Sequence, residues 1–486
     1  MANKADLVIK NGLVCTENDM IRGGLAIKDG IIVMIGPDVL LPDAEKVYDA
    51  KENLIFPGII EPHCHPGNDL GAKDVELYRK DVYTESRSAA QGGITTICAM
   101  GMPWGKPLKQ KMDDASYSVG DNAWTDMRFY LSPYTQEQFD EIDYIVKERG
   151  VTMFKLLLGY RGDNALTVGI PREGFDTGLM YKAFEAIAKA GGVAMVHNED
   201  PAITEITTQR TKDDYEVVHG NYLKAFSKAQ PGFAEAVDLC KSAYIANEVD
   251  CPLYCVHTAA KETVDQIQYF QGKGFDITCE TCVPYLVFSC DDDRCFDNEE
   301  FNRMAKVGPP IHEKADQDRL WLGINDGTVD TLGTDHVAYI KESKLDRKTF
   351  WDATIGSGDC MSRSLELMLT EGINKNKCSI DSLRKIMSEN VAKAFNMYPR
   401  KGALKLGADG DVVIIDLHKT GVIDHNDSES NHCGCEFDGM ETKGAAIATF
   451  VRGNLVAENF EIVGDAPHGE EIKTVSDLRI TRNYRK

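Results

Sequence analysis

The chain changes rhythm twice. From residue 1 to 56, apolar and polar positions alternate in short runs, as in ADLVIKNGLVCT and LAIKDGIIVMIG. Alternation of this kind marks strands with one buried face, and Asn11-Gly12 and Asp29-Gly30 read as hairpin turns between them. The same rhythm returns in GDVVIIDL (410–417) and AIATFVRGNLVAENFEIVG (446–464), where Gly453-Asn454 marks a turn. Between about 58 and 390 the pattern differs. Short apolar runs (GGITTICAM, VTMFKLLLGY, GGVAMVHNED, CPLYCVHTAA, FDITCETCV, VDTLGTDHV) are separated by stretches with helical periodicity, such as 177–190, 233–249 and 261–273.

Strand–helix alternation predicts a parallel sheet covered by helices, and so long a run of it predicts a closed (β/α)8 TIM barrel over an open doubly wound sheet. No Gly-x-Gly-x-x-Gly follows an early strand, so no dinucleotide site is expected. The two β-rich ends predict one small β-sandwich domain built from both termini. The expected division is 1–56 for its first part, 57–390 for the barrel, and 391–486 for its second part and a tail.

A chain of 486 residues accommodates both units. Its net charge of −23, with 77 acidic against 54 basic residues, repels phosphate backbones and anionic lipid heads. Nucleic acid and membrane are therefore not expected partners. The N-terminus has no signal-peptide core, and no run approaches the ~20 apolar residues of a membrane span, which predicts a cytoplasmic protein. Fourteen cysteines are scattered along the chain and read as reduced thiols. His432-Cys433-Gly434-Cys435 lacks the further ligands of a closed zinc site, so it reads as structural.

Functional side chains of such a barrel sit where its strands end, so the polar residues that terminate apolar runs carry the argument. LIFPGII reads as a buried strand that delivers His63 and His65, two positions apart and hence on one face. Lys155 lies inside a buried strand, where desolvation favours the neutral amine; such an amine can react with carbon dioxide to give a carbamate, an oxygen ligand. His197 and His257 close consecutive strand–helix units, and Asp335 follows Gly333 at another strand end. His336 is expected to point away. Each residue alone has an ordinary structural explanation: a satisfied core histidine, a snorkelling lysine, a capping aspartate. Together, four His, one Lys and one Asp match the needs of two nearby divalent cations, with zinc favoured by the imidazole and carboxylate-type donors.

The sequence resembles the amidohydrolase superfamily and, within it, the cyclic amidohydrolases, the hydantoinases and dihydropyrimidinases. The resemblance spans nearly the whole chain: FPGIIEPHCH, AAQGGITTI, TMFKLLLGY, MVHNED, CPLYCVHTAAKE, ETCVPYL, KVGPPI, DGTVDTLGTDH, NVAKAFNMYPRKGALKLGADGDVVIIDL and FDGMETKGAAIATFVRGNLV. It implies that His63, His65 and Asp335 hold one metal, that His197 and His257 hold the second, and that Lys155, carboxylated on its amine, bridges them. A hydroxide between the metals would attack the ring amide, with Asp335 as proton shuttle and Tyr160 as an oxyanion donor. Gly308 and Ser357 would contact the ring, although GPPI and IGSG depart from the family's usual Ser-Pro-Pro and Asn-Gly segments, which puts the substrate in doubt. The loops after His65 and at 225–236 also depart from it. Allantoinases generally lack the tyrosine, so Tyr160 favours the hydantoinase branch. Allantoinase- or dihydroorotase-like hydrolysis is the alternative, and a dihydropyrimidinase-related scaffold without metals is a third reading. A small cyclic amide as substrate and a homotetrameric assembly are implied as well.

Overall fold

The structure is a computed structural model describing residues 4–67, 74–101, 105–167, 169–213 and 220–473. Strands β1 (Ala5–Cys15), β2 (Met20–Lys28), β3 (Ile31–Gly36), β4 (Ala44–Asp49) and β5 (Leu54–Pro57) come from the N-terminal part. Eight strands follow in the middle: β6 (Ile59–Cys64), β7 (Ile94–Met100), β8 (Asp126–Tyr130), β9 (Met153–Leu157), β10 (Val193–His197), β11 (Leu253–Cys255), β12 (Ile277–Cys282) and β13 (Thr331–Gly333). The C-terminal part adds β14 (Val412–Val422), β15 (Glu441–Val451), β16 (Asn454–Glu458) and β17 (Glu461–Ile462).

The middle strands pair in parallel from β6 to β8 and from β9 to β13. Two seams close the circle. Past the end of β8, the Lys155 amide donates to the Leu131 carbonyl at 2.8 Å, and beyond β13 the His65 amide donates to the His336 carbonyl at 2.9 Å. The protein is a (β/α)8 barrel with a β-sandwich domain. Helices Thr177–Ala190, Gly232–Glu248 and Lys261–Gly272 lie within a residue or two of the spans expected from periodicity. No helix among the described residues is long and apolar enough to cross a membrane.

The two termini build one nine-stranded sheet, with β14 pairing antiparallel to β5. Its core joins Ile9, Leu25, Ile27 and Ile55 to Ile414, Ala448 and Phe450, so neither terminal part has a complete core alone. Two local expectations are corrected. Asn11-Gly12 makes no hairpin: β1 runs through it as a bulge, with Asn11 at φ 56° and a register shift between Ile9 and Gly12. A Cβ on Gly12 would sit 2.6 Å from Ile55 Cδ1, so β5 packs where only glycine fits. LIFPGII is not one strand but two, β5 in the sheet and β6 in the barrel, meeting at Gly58.

Period two along the barrel strands sets the layers. Met153 and Lys155 share one face of β9, and Val193, Met195 and His197 one face of β10. The lower members join Ile60, Met100 and Tyr254 in an apolar cluster completed by Val391, Phe395 and Met397 near the N-terminal strand ends. The polar members are thereby left at the opposite end.

Barrel and sheet are joined by a buried charge cluster. Lys401 Nζ lies 2.5 Å from Asp126 Oδ2 at the start of β8, 2.6 Å from Asp411 Oδ2 and 2.9 Å from Asp409 Oδ2. Arg452, in the turn between β15 and β16, pairs with the other oxygen of Asp126. Removing the ammonium would take the cation from Asp411 and leave Asp126 to Arg452 and Asp409 to Arg400; breaking a buried pair in this way typically costs about 3–5 kcal/mol. Lys401→Ala should lower unfolding stability by about that amount in urea or guanidinium titrations, while the barrel ligands keep their sequence environment.

Candidate metal centre

Six side chains expected at the site come together at the C-terminal ends of the barrel strands. His63 Nε2 and His65 Nε2 are 3.0 Å apart, and each is 3.0–3.1 Å from the same Asp335 oxygen. Lys155 Nζ is 3.0 Å from His63 Nε2. His197 Nδ1 and His257 Nε2 face each other at 2.8 Å, and the His257 ring stacks 5.4 Å from that of His63. All four imidazoles and the lysine are buried, and only Asp335 is partly open.

The backbone around them is specialised. His257 and Asp335, each just past its strand, have φ of 36° and 52°, a left-handed region that β-carbon-bearing residues seldom occupy and that concentrates at functional sites. A Cβ on Gly159 would lie 2.7 Å from the His197 ring, and one on Gly333 3.2 Å from Glu280 Cδ and 3.3 Å from His63 Cβ. Glycine at these two positions lets the loop after β9 and the end of β13 close against the ligands.

Three carboxylates that sequence reasoning missed hold the ligands from behind. Glu280 Oε1 accepts from His63 Nδ1 at 2.8 Å and from the His257 amide at 2.9 Å, while its Oε2 accepts from Tyr254 Oη at 2.7 Å. Glu61 Oε1 accepts the His63 and Thr334 amides. Glu199 Oε2 lies 3.1 Å from His197 Nε2. Glu61 was legible in principle, being two positions before His63 on an apolar strand. Glu280 was hidden inside the Cys-Glu-Thr-Cys run, whose thiols drew the attention; the fourteen cysteines form no disulfide.

Glu280 determines what the histidines can do. Its oxygens already accept three hydrogens, so His63 must carry its proton on Nδ1 and present a lone pair from Nε2. That lone pair faces the Asp335 carboxylate, itself an acceptor, at 3.1 Å. Burial holds His63 and His257 well below the usual imidazole range, helped by the nearby Lys155 charge at His63 and by the His197 and Lys155 charges at His257. Burial would raise the Asp335 carboxyl, but His63, His65 and Lys155 together pull it well below the ordinary carboxylate range. Burial lowers the Lys155 ammonium to about 8, which leaves neutral amine available near neutral pH. The ligand atoms of His63, His65 and Asp335 lie within 4.8 Å of one another, and nitrogen plus carboxylate oxygen is a donor set that suits zinc-like divalent ions. The residues therefore fit a metal centre.

The expected substrate contacts lie around it. Tyr160 follows β9 and is half-buried, its ring 5.0 Å from that of His197. Ser357 Oγ donates to the Thr334 carbonyl at 3.0 Å, one residue from Asp335. Gly308 approaches the same loop, a Cβ there falling 2.5 Å from Ile355 Cγ2. His336 does point away: its Nε2 is 2.7 Å from Glu85 Oε2, and the carboxylate contact raises the imidazole to about 9 against the cost of burial. Cys435 Sγ donates to the Asp359 carbonyl and the Gly434 amide to His432 Nδ1, contacts internal to the fold. Of the loop after His65 expected to shape the pocket, residues 66–78, positions 68–73 lie outside the described residues, and 75–78 open helix Val75–Gln91. The 225–236 segment forms the end of helix Tyr222–Ala229 and the start of Gly232–Glu248.

The sequence pattern of the Amidohydrolase family matches residues 54–456. The chain belongs to that family. This amidohydrolase is 29% identical over 473 residues to the L-hydantoinase of Paenarthrobacter aurescens, covering 96% of the chain and 97% of the relative. It is also 29% identical over 477 residues to an allantoinase of Escherichia coli O139:H28, covering 96% and 98%. Its fold superposes on the solved structure of an L-hydantoinase (dihydropyrimidinase) from Arthrobacter aurescens with a TM-score of 0.86 at 28% identity, over 96% of this chain and all of that one.

Groups behind metal ligands typically change metal affinity 10–100-fold when removed. Glu280→Ala, which frees both His63 Nδ1 and the His257 amide, should weaken metal affinity by about that factor, as read by competition with a chelator of known affinity.

Proposed function

We propose that this amidohydrolase binds two divalent cations, zinc in the first instance, and hydrolytically opens the ring of a cyclic amide or ureide of the hydantoin or dihydropyrimidine type. The observation that carries the reading is the convergence of four buried imidazoles, one buried lysine and a partly open carboxylate at the C-terminal ends of the barrel strands. His63, His65 and Asp335 would hold one cation, and His197 and His257 the other. Lys155, carboxylated on Nζ by addition of carbon dioxide to its neutral amine with loss of a proton, would serve both. When bound, such cations supply a water acidified toward neutrality and polarise the carbonyl under attack.

The chain's own groups do the rest. Asp335, an ionised carboxylate, accepts the proton from the attacking water and delivers it to the departing ring nitrogen. The Tyr160 hydroxyl, kept protonated by burial that pushes it above the ordinary phenol range, donates to the oxygen on which negative charge develops. Gly308 and Ser357 lie where main-chain groups can orient the ring. The hydantoinase relatives support this substrate class, and the equally similar allantoinase supports allantoin as the second reading. Tyr160 favours the first. A cytoplasmic homotetramer is the assembly and location we propose with it.

A panel of hydantoin, phenylhydantoin, dihydrouracil, allantoin and dihydroorotate, followed by loss of ring absorbance, tests the assignment. Turnover of the first three is expected, and turnover of allantoin alone would transfer it to the second reading. Lys155→Ala should lose bound metal and activity together while retaining the native circular dichroism spectrum; an active variant would remove the bridging role. Tyr160→Phe should keep its metals and lose about 10²–10³-fold in kcat, the usual effect of deleting one oxyanion donor.

A further inference from the structure

Two buried lysines outside the metal centre have no carboxylate within ion-pair distance among the described contacts. Lys306 is 2% exposed and donates from Nζ to the carbonyls of Phe350 at 3.0 Å, Trp351 at 3.1 Å and Ala353 at 2.6 Å. Lys344 is fully buried and donates to the carbonyls of Lys306 at 3.0 Å, Thr354 at 3.3 Å and Gly356. The Lys306 carbonyl accepts a second hydrogen from the Gly356 amide at 3.0 Å. Burial lowers both ammonium groups, to about 7 and about 8, so the arrangement carries a desolvation cost that an apolar side chain would avoid. The segment they hold includes a short 3-10 turn at Phe350–Asp352 and then no helix or named strand until residue 361, so several of its buried carbonyls have no ladder partners.

This segment leads directly into the candidate substrate wall. Tyr339 Oη donates to the Ile355 carbonyl at 2.9 Å, the Gly358 amide donates to Glu436 at 2.8 Å, and Ser357 reaches the Thr334 carbonyl beside Asp335. Ile355 packs on Gly308, so the clamp joins both stretches expected to meet the ring, 308–311 and 355–358.

We propose that Lys306 and Lys344 are positioning residues that fix the 353–358 backbone for substrate binding without taking part in metal loading. The inference rests on the reading of Gly308 and Ser357 as ring contacts. Lys306→Met and Lys344→Met remove the donors at nearly constant volume, and Tyr339→Phe removes only one hydroxyl bond, so it serves if the lysine variants do not accumulate. The holoenzyme variants should retain two metals per chain and keep kcat within about threefold, while KM for the turned-over cyclic amide rises about tenfold for the lysines and about threefold for the tyrosine. Hydrogen–deuterium exchange of 350–358 should accelerate with the rest of the barrel unchanged. Unchanged exchange in that segment overturns the clamp; a kcat loss at constant KM, or loss of metal, overturns its role in substrate positioning. If the parent protein opens no ring in the panel, the catalytic reading fails, and the exchange measurement still decides whether the lysines hold the loop.

Discussion

The hydrogen bond from His63 Nδ1 to Glu280 is the contact on which the centre depends. It fixes the tautomer, aims a lone pair at Asp335 and Lys155, and through the same carboxylate oxygen ties down the His257 backbone. One buried glutamate thus couples one member of each half of the set, His63 on β6 and His257 just past β11. Burial raises the glutamate's proton affinity, to about 7, against the His257 amide, the Tyr254 hydroxyl and the Lys155 charge, which favour the carboxylate. The arrangement is affordable because Tyr254, whose ring belongs to the apolar interior, brings its hydroxyl up to the free oxygen.

The barrel divides its interior between packing and chemistry by strand register alone. Methionine and tyrosine fill the lower layer, with Phe395 and Met397 beneath them, and the next inward position on β9 and β10 is a ligand. A packed lower layer makes the upper one precise, because a close-packed core leaves its side chains little freedom to move. The sheet domain contributes differently. It completes its own core only by joining both termini, and Lys401 locks it to the first residue of β8.

Around the centre, the walls are built from irregular backbone, and irregular backbone needs partners that sheets and helices would otherwise provide. Lys306, Lys344, Glu436 and Tyr339 supply them for the loop after β13. Charged side chains here satisfy main-chain dipoles, which explains why they are buried without forming simple ion pairs.

The alternation of strands and helices, the six side chains that converge at the strand ends and the joining of the two β-rich ends were legible in the sequence, because period and strand-end placement are local properties that tertiary packing preserves. β8 was not: its DMRFY run carries Asp126 and Arg128, and their burial is made possible only by Lys401, Arg452 and the Ile472 carbonyl, all distant in sequence. The Asn11-Gly12 bulge was hidden for a similar reason, since a turn-forming dipeptide serves equally well as a bulge when a neighbouring strand packs against it. Glu280, Glu199 and the two lysines were likewise silent. A ligand announces itself by residue type at a strand end, whereas a supporting group is defined by whichever partner the fold places within 3 Å of it.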